Sequence, residues 1–186
     1  NYRKSYLNNK IIGVNIGKNK NSIDAINDYL VGIEELGDLS SYITINISSP
    51  NTPNLRDFHK SELLEKVIKA VKKGIFNSKS PNSNIPIFLK IAPDISFKIL
   101  EAIINKAVQL KVTGLIISNT TIDRNKNLQS ENATEIGGLS GTPLFNKSTS
   151  ILSMSNKIIK KNRHKLCLIA AGGVSDAKTA YVKILC

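Results

Sequence analysis

Ile43-Thr-Ile-Asn46-Ile-Ser-Ser49-Pro-Asn51-Thr-Pro-Asn-Leu-Arg-Asp57 begins as a β-branched run and breaks abruptly into amides, hydroxyls and two prolines. The first half fits a buried strand, and the prolines forbid continuing either a helix or a ladder. A strand that ends by presenting Asn, Ser, Ser and Asn together directs donors and acceptors at one place. Taken alone, such a stretch reads equally as a solvated turn with Asx and Ser capping. The decision comes from its neighbours, because the same event recurs along the chain.

Upstream, Ile11-Ile-Gly-Val-Asn15-Ile-Gly17 predicts a short strand ending on Asn15 and Gly17. A helix then carries Ile23, Ile26, Tyr29, Leu30, Ile33 and Leu36, capped by Asn21-Ser22 and closed by Gly37. Downstream, Ser61-Glu62 opens a helix with Leu63, Leu64, Val67, Ile68 and Val71, followed by a polar linker from Asn77 to Asn84. Pro86 to Asp94 predicts the third strand, with Lys90 near its end. Asp94 or Ser96 caps a helix burying Ile99, Leu100, Ile103, Ile104, Ala107 and Leu110. The fourth strand, from Thr113, ends in Ser118-Asn-Thr-Thr121, and a long polar loop leads to Gly137-Gly-Leu-Ser140-Gly141. A helix over about Ser148–Asn162, a strand over Leu166–Ala171, the turn Gly172-Gly173 and a last helix after Ser175-Asp176 complete the chain.

Short apolar strands alternating with helices imply a parallel sheet buried by helices. A doubly wound sheet and a (β/α)8 barrel both meet that description. No GxGxxG follows the first strand, and all five strands end in polar residues or glycines, which is how a barrel assembles its site. The expectation is a TIM barrel. Five units in 186 residues compare with about 250 residues for a complete barrel. The chain is therefore expected to be one partial barrel domain over residues 1–186, with flanking units before Asn1 and after Cys186.

Composition narrows the function. The 41% hydrophobic and 22% charged residues describe a globular domain, and no apolar run is long enough to span a bilayer. The net charge of +12 comes from lysines spread along an Asn- and Lys-rich chain with few interleaved aromatics, so no nucleic-acid partner is expected. Two cysteines support neither a disulfide framework nor a zinc site, Cys167 reads as a small core residue, and no metal site is expected. His59 reads as a solvent-facing or lid residue and His164 as a surface one.

The glycine turns at 137–141 and 172–173 suit close approach of backbone amides to an anion, and together they point to a phosphate-bearing cofactor. Lys90 would supply a fixed positive charge beside an electron sink. Asn15, Asn46, Asn51 and Asn119 offer amides that donate and accept, suiting a planar heterocycle. Ser49 is then the candidate proton acceptor of its loop, with no histidine or carboxylate directly adjacent.

These residues resemble a known family. Asn46-Ile-Ser-Ser49-Pro-Asn51-Thr-Pro-Asn-Leu-Arg-Asp57 is similar to the catalytic loop of dihydroorotate dehydrogenases. Gly13-Val-Asn15-Ile-Gly-Lys-Asn-Lys20, Lys90-Ile-Ala-Pro-Asp94, Ser118-Asn-Thr-Thr121, Gly137-Gly-Leu-Ser-Gly141 and Gly172-Gly-Val-Ser175 match the family in the same order. Serine rather than cysteine at Ser49 resembles the membrane-associated, quinone-reducing class.

The resemblance implies FMN-dependent oxidation of dihydroorotate to orotate in pyrimidine biosynthesis. Ser49 is then the base, with Asn46, Asn51, Asn119 and Thr120 on the substrate. Asn15, Lys90 and Ser118 contact the flavin, while Ser140, Gly141, Gly172 and Gly173 cradle its phosphate. It also implies a quinone acceptor reached through an N-terminal segment not present here. Peripheral membrane association follows, at the mitochondrial inner membrane in a eukaryote. Two other readings stay open: another FMN barrel such as a tRNA dihydrouridine synthase, which would use a cysteine acid, and a truncated chain without activity.

Overall fold

The computed structural model describes residues 10–52, 55–59, 61–77, 84–124 and 128–186. The expectations for residues 1–9, for Pro53 and Asn54, and for most of the linker after Asn77 lie outside them. Five strands, β1 (Gly13–Gly17), β2 (Tyr42–Asn46), β3 (Ile87–Ile91), β4 (Gly114–Ile117) and β5 (Cys167–Ala170), form one parallel sheet in the order β1-β2-β3-β4-β5. Among the described residues five α-helices alternate with them: α1 (Ala25–Leu36), α2 (Ser61–Asn77), α3 (Phe97–Gln109), α4 (Phe145–Lys161) and α5 (Ala177–Leu185).

Strand order decides the architecture. Right-handed crossovers between strands that are neighbours in both chain and sheet put every helix on the same face. Consecutive helices accordingly pack on one another, α1 on α2, α2 on α3, α3 on α4 and α4 on α5. A doubly wound sheet would reverse its order and cover both faces. The chain is five βα units of a (β/α)8 barrel.

Register separates two functions along each strand. Ile16, Ile45, Leu89 and Leu115 lie side by side in the ladder and join the buried core, with Ile43, Ile87, Ile91 and Ile117 on the same face. Leu64, Val67, Ile68 and Val71 of α2 and Leu100, Ile103, Ile104 and Ala107 of α3 meet them from the helix layer. Fully burying each such side chain is worth about 1.5–3 kcal/mol. The alternate residues face inward, and there Asn46 is the register partner of both Gly17 and Lys90.

Several local expectations are corrected. Asp24, not Asn21 or Ser22, caps α1 by accepting from the amides of Ile26 and Asn27, so Ile23 precedes the helix and is fully exposed. Gly37 closes the helix as expected, its amide donating to the Ile33 carbonyl, but with right-handed backbone that leads straight into a 3-10 turn, Gly37–Leu39. Ser96 alone caps α3, and Ile99 is exposed because its side of the first turn looks away from the core. Helix α4 starts three residues early, led in by a 3-10 turn, Thr142–Leu144, with Pro143 in its opening. Cys167 is exposed among the described residues rather than part of their core, and its register partner, Gly114, has no side chain to cover it.

Candidate functional site

The strand ends of β2, β3 and β4 converge on one buried hydroxyl, that of Ser48. Ser48 is completely buried, and its Oγ lies 2.7 Å from the Lys90 carbonyl and 3.0 Å from Asn46 Oδ1. It also accepts from Asn119 Nδ2 at 3.0 Å, and the same amide group reaches Asn46 Oδ1 at 3.4 Å. Asn119 Oδ1 takes the Thr120 amide at 2.8 Å. From the helix layer, the Tyr29 hydroxyl donates to the Asn46 carbonyl at 2.8 Å. Tyr29 is wholly enclosed, and burial pushes its phenol pKa up, so it stays a donor.

The two adjacent serines therefore do different things. Ser48 is a structural knot, which the sequence does not announce. Ser49 is half-buried, and among the described residues its Oγ accepts only the Asn51 amide, at 3.3 Å. Its own proton has no acceptor among the described residues. Asn51 is exposed at the rim, beside Gly137, while Gly138 sits against Thr120 and Pro50 so closely that a Cβ would fall 1.9 Å from Thr120 Oγ1. The first Gly-Gly turn thus braces the loops of Ser49 and Thr120.

Lys90 is half-buried beside Asn46, with no carboxylate in ion-pair range among the described residues. Asn15 lies two residues before the end of β1 and is exposed. Ser118 is buried, donating its hydroxyl to the Asn119 carbonyl and its amide to the Ala171 carbonyl.

The remaining expected residues gather at the start of α4. Gly141 (φ +72°) opens the lead-in turn, and Gly172 (φ +99°) and Gly173 (φ +75°) rest on it. A Cβ on Gly172 would meet Leu144 at 2.9 Å, and one on Gly173 would meet the Phe145 backbone at 2.5 Å. The Ser148 hydroxyl reaches the Gly172 carbonyl at 2.9 Å. The amides of Ser140, Gly141, Gly172 and Gly173 make no hydrogen bond among the described residues, a donor set that fits a phosphate. Asp176, the nearest acid in sequence, is occupied in capping α5 through Thr179. Lys183 of α5 adds a cation that sequence reasoning missed: it is buried, donates to Ser148 and Thr149 at 2.7 and 3.0 Å, and lies over the Phe145 ring.

Two further findings depart from expectation. His59 is buried, in a 3-10 turn (Leu55–His59) against α2, and its Nε2 has no partner among the described residues. Burial, with the Arg56 charge adding, pulls its pKa down to about 4, so the ring is neutral. Asp94, expected only as a cap, instead gathers two cations, Arg56 at 2.9 Å and Lys147 at 2.6 Å, and accepts from the Thr121 hydroxyl and the Ile122 amide. Burial pushes its carboxyl up, and Lys147, Thr121 and the Ile122 amide more than offset this and hold it below the usual range. Among the described residues no cluster of His, Cys, Asp or Glu has the makings of a metal site, and no helix is long and apolar enough to cross a membrane.

Comparison with known proteins is uniform. The family profile described as dihydroorotate dehydrogenase matches residues 1–186. A protein from Bartonella tribocorum named dihydroorotate dehydrogenase (quinone) is 44% identical over 94% of this chain and 48% of its own. One of the same name from Buchnera aphidicola subsp. Schizaphis graminum is 44% identical over 95% of this chain and 52% of its own. The crystal structure of DHODH from Eimeria tenella in complex with ferulenol superposes with a TM-score of 0.87 at 32% identity, covering 98% of this chain and 53% of that one. The chain spans about half the length of the relatives it matches.

Proposed function

Because the chain belongs to the dihydroorotate dehydrogenase family, we propose that the protein it forms part of oxidises dihydroorotate to orotate, with FMN as cofactor and a quinone as final acceptor. The observation that carries this reading is the contrast between Ser48, saturated and buried, and Ser49, whose proton is uncommitted beside a knot of amides.

The half-reaction breaks two C–H bonds and forms one C=C bond. Ser49 takes the proton from C5 of the substrate. A serine hydroxyl is a weak base at its free pKa, so exclusion of water or relay through one bound water has to activate it. Asn46, Asn51, Asn119 and Thr120 hold the ring and its carboxylate. Asn46 and Asn119 are already cross-tied, which lowers the cost of ordering them around substrate. A bound flavin would supply the acceptor for the hydride from C6, which balances the proton lost from C5. Asn15, Lys90 and Ser118 would hold its ring, and the Lys90 ammonium, without an acid partner among the described residues, would stabilise negative charge at that edge. Ser140, Gly141, Gly172 and Gly173 would hold its phosphate through free amides. The quinone in the relatives' names supports peripheral membrane association of the whole protein; those relatives are bacterial and lend no support to a mitochondrial location.

The test is anaerobic mixing of full-length, flavin-loaded protein with dihydroorotate, following flavin absorbance. The parent should bleach rapidly and Ser49→Ala roughly 10²–10⁴-fold more slowly. A flavin that stays oxidised in the parent sinks the substrate assignment. Equal rates in parent and variant remove Ser49 from the base role.

A further inference from the structure

Three strand ends that make up the site are tied together by a carboxylate that none of the proposed roles uses. Arg56, from the loop that carries Ser49 and Asn51, spreads its guanidinium over three acceptors. Nε approaches the Ser48 carbonyl at 3.4 Å, one NH2 group reaches Asp94 Oδ2 at 2.9 Å and the other the Thr120 carbonyl at 3.3 Å. Those two carbonyls belong to the residue before Ser49 and the residue after Asn119. Asp94, at the end of β3, also receives the Thr121 hydroxyl and the Ile122 amide, and Lys147 reaches it from α4 while pairing with Asp123. Side-chain exposure falls from 30% at Lys147 and 23% at Arg56 to 9% at Asp94, so the acid is the enclosed centre.

We propose that Asp94 and Arg56 are positioning residues that set the distance between the serine loop and the amide loop. Neither touches the reacting atoms. A planar guanidinium with fixed donor directions holds two backbone strands at one separation, and the carboxylate fixes the guanidinium in turn. The substrate amides Asn46 and Asn119 face each other across that separation, so a shift of an ångström there misaligns Ser49 with the bond it breaks. Lysine cannot replace Arg56, because one ammonium cannot serve three acceptors spread over that width.

This inference rests on the dihydroorotate reading, and its test keeps the two apart. Full-length holoprotein, Asp94→Asn and Arg56→Lys are compared by anaerobic flavin reduction at saturating dihydroorotate and by hydrogen exchange. Both variants should keep their flavin and show a limiting rate at least tenfold lower that more substrate does not restore. Exchange should rise in residues 47–52 and 118–122, with β2, β3 and β4 unchanged. Arg56→Lys keeps the charge and carries the test if Asp94→Asn does not fold. An unchanged limiting rate in the variants overturns the proposal. So does exchange that rises across the whole sheet, the mark of a merely structural role. A parent that dihydroorotate cannot reduce sinks the functional reading instead, and the exchange pattern alone then decides whether Asp94 organises the loops.

Discussion

Alanine at Gly173 and at Gly141 provides a matched pair of perturbations. Both glycines have left-handed backbone, at φ +75° and +72°. An L-residue there costs about 1–2 kcal/mol, so each substitution carries that term. The surroundings differ. At Gly141 the nearest atom to an added Cβ is Pro143 Cδ at 3.9 Å, an ordinary contact. At Gly173 the Cβ would lie 2.5 Å from Phe145 Cα and 2.6 Å from its nitrogen, backbone atoms that no rotamer change can move. Overpacking of this kind adds about 1–3 kcal/mol. Gly141→Ala should therefore lose about 1–2 kcal/mol and Gly173→Ala about 2–5 kcal/mol. Urea unfolding of the full-length protein, comparing midpoints at constant slope, measures both. Because the clash pushes the 172–173 turn off the start of α4, Gly173→Ala should also retain less flavin than Gly141→Ala. Equal midpoints for the two variants would refute the steric argument.

His59 is held at about 4, against about 6.5 for an unfolded histidine, so the unfolded chain binds more protons between those values. Stability is lost as pH falls through that window, on the order of 3 kcal/mol from this group. His59→Leu should flatten that part of the profile in urea midpoints taken at pH 7 and pH 5; an unaltered difference would contradict the assignment. Tyr29→Phe removes the only side-chain hydroxyl that ties the helix layer to the Asn46 carbonyl among the described residues. It should cost about 1 kcal/mol in the same assay. No loss would mean that the bond contributes nothing.

How much of this is legible in the residues differs by scale. The five strands are read from short, mainly apolar runs such as Ile43–Ile47 and Ile87–Ile91, broken only by Thr44, Asn46 and Lys90, because burial on a parallel sheet demands apolar residues. Helix starts are read less well. Asn21, Ser22 and Asp24 can all cap, and only the packing of Tyr29 and Ile33 selects Asp24. Ser49, Asn51 and Asn119 stand out because polar residues after an apolar run are conspicuous. Ser48 does not, since nothing local says which of two serines turns inward. Asp94 is hidden for a different reason. Its cations lie on other units of the chain, and a sequence window sees only a residue suited to cap the next helix. His59 sits in a polar loop, which says nothing of the 3-10 turn that buries it.

The row Gly17–Asn46–Lys90–Ile116 across four strands has a consequence for error correction. Strand side chains alternate, so sliding β2 by one residue would turn Ile45 inward and push Asn46 into the layer of Leu89 and Leu115. Burying an unpartnered amide there is heavily disfavoured. Core and site are thus proofread by a single event: a chain that has zipped its isoleucines against the helices has, in the same act, set Asn46 next to Lys90.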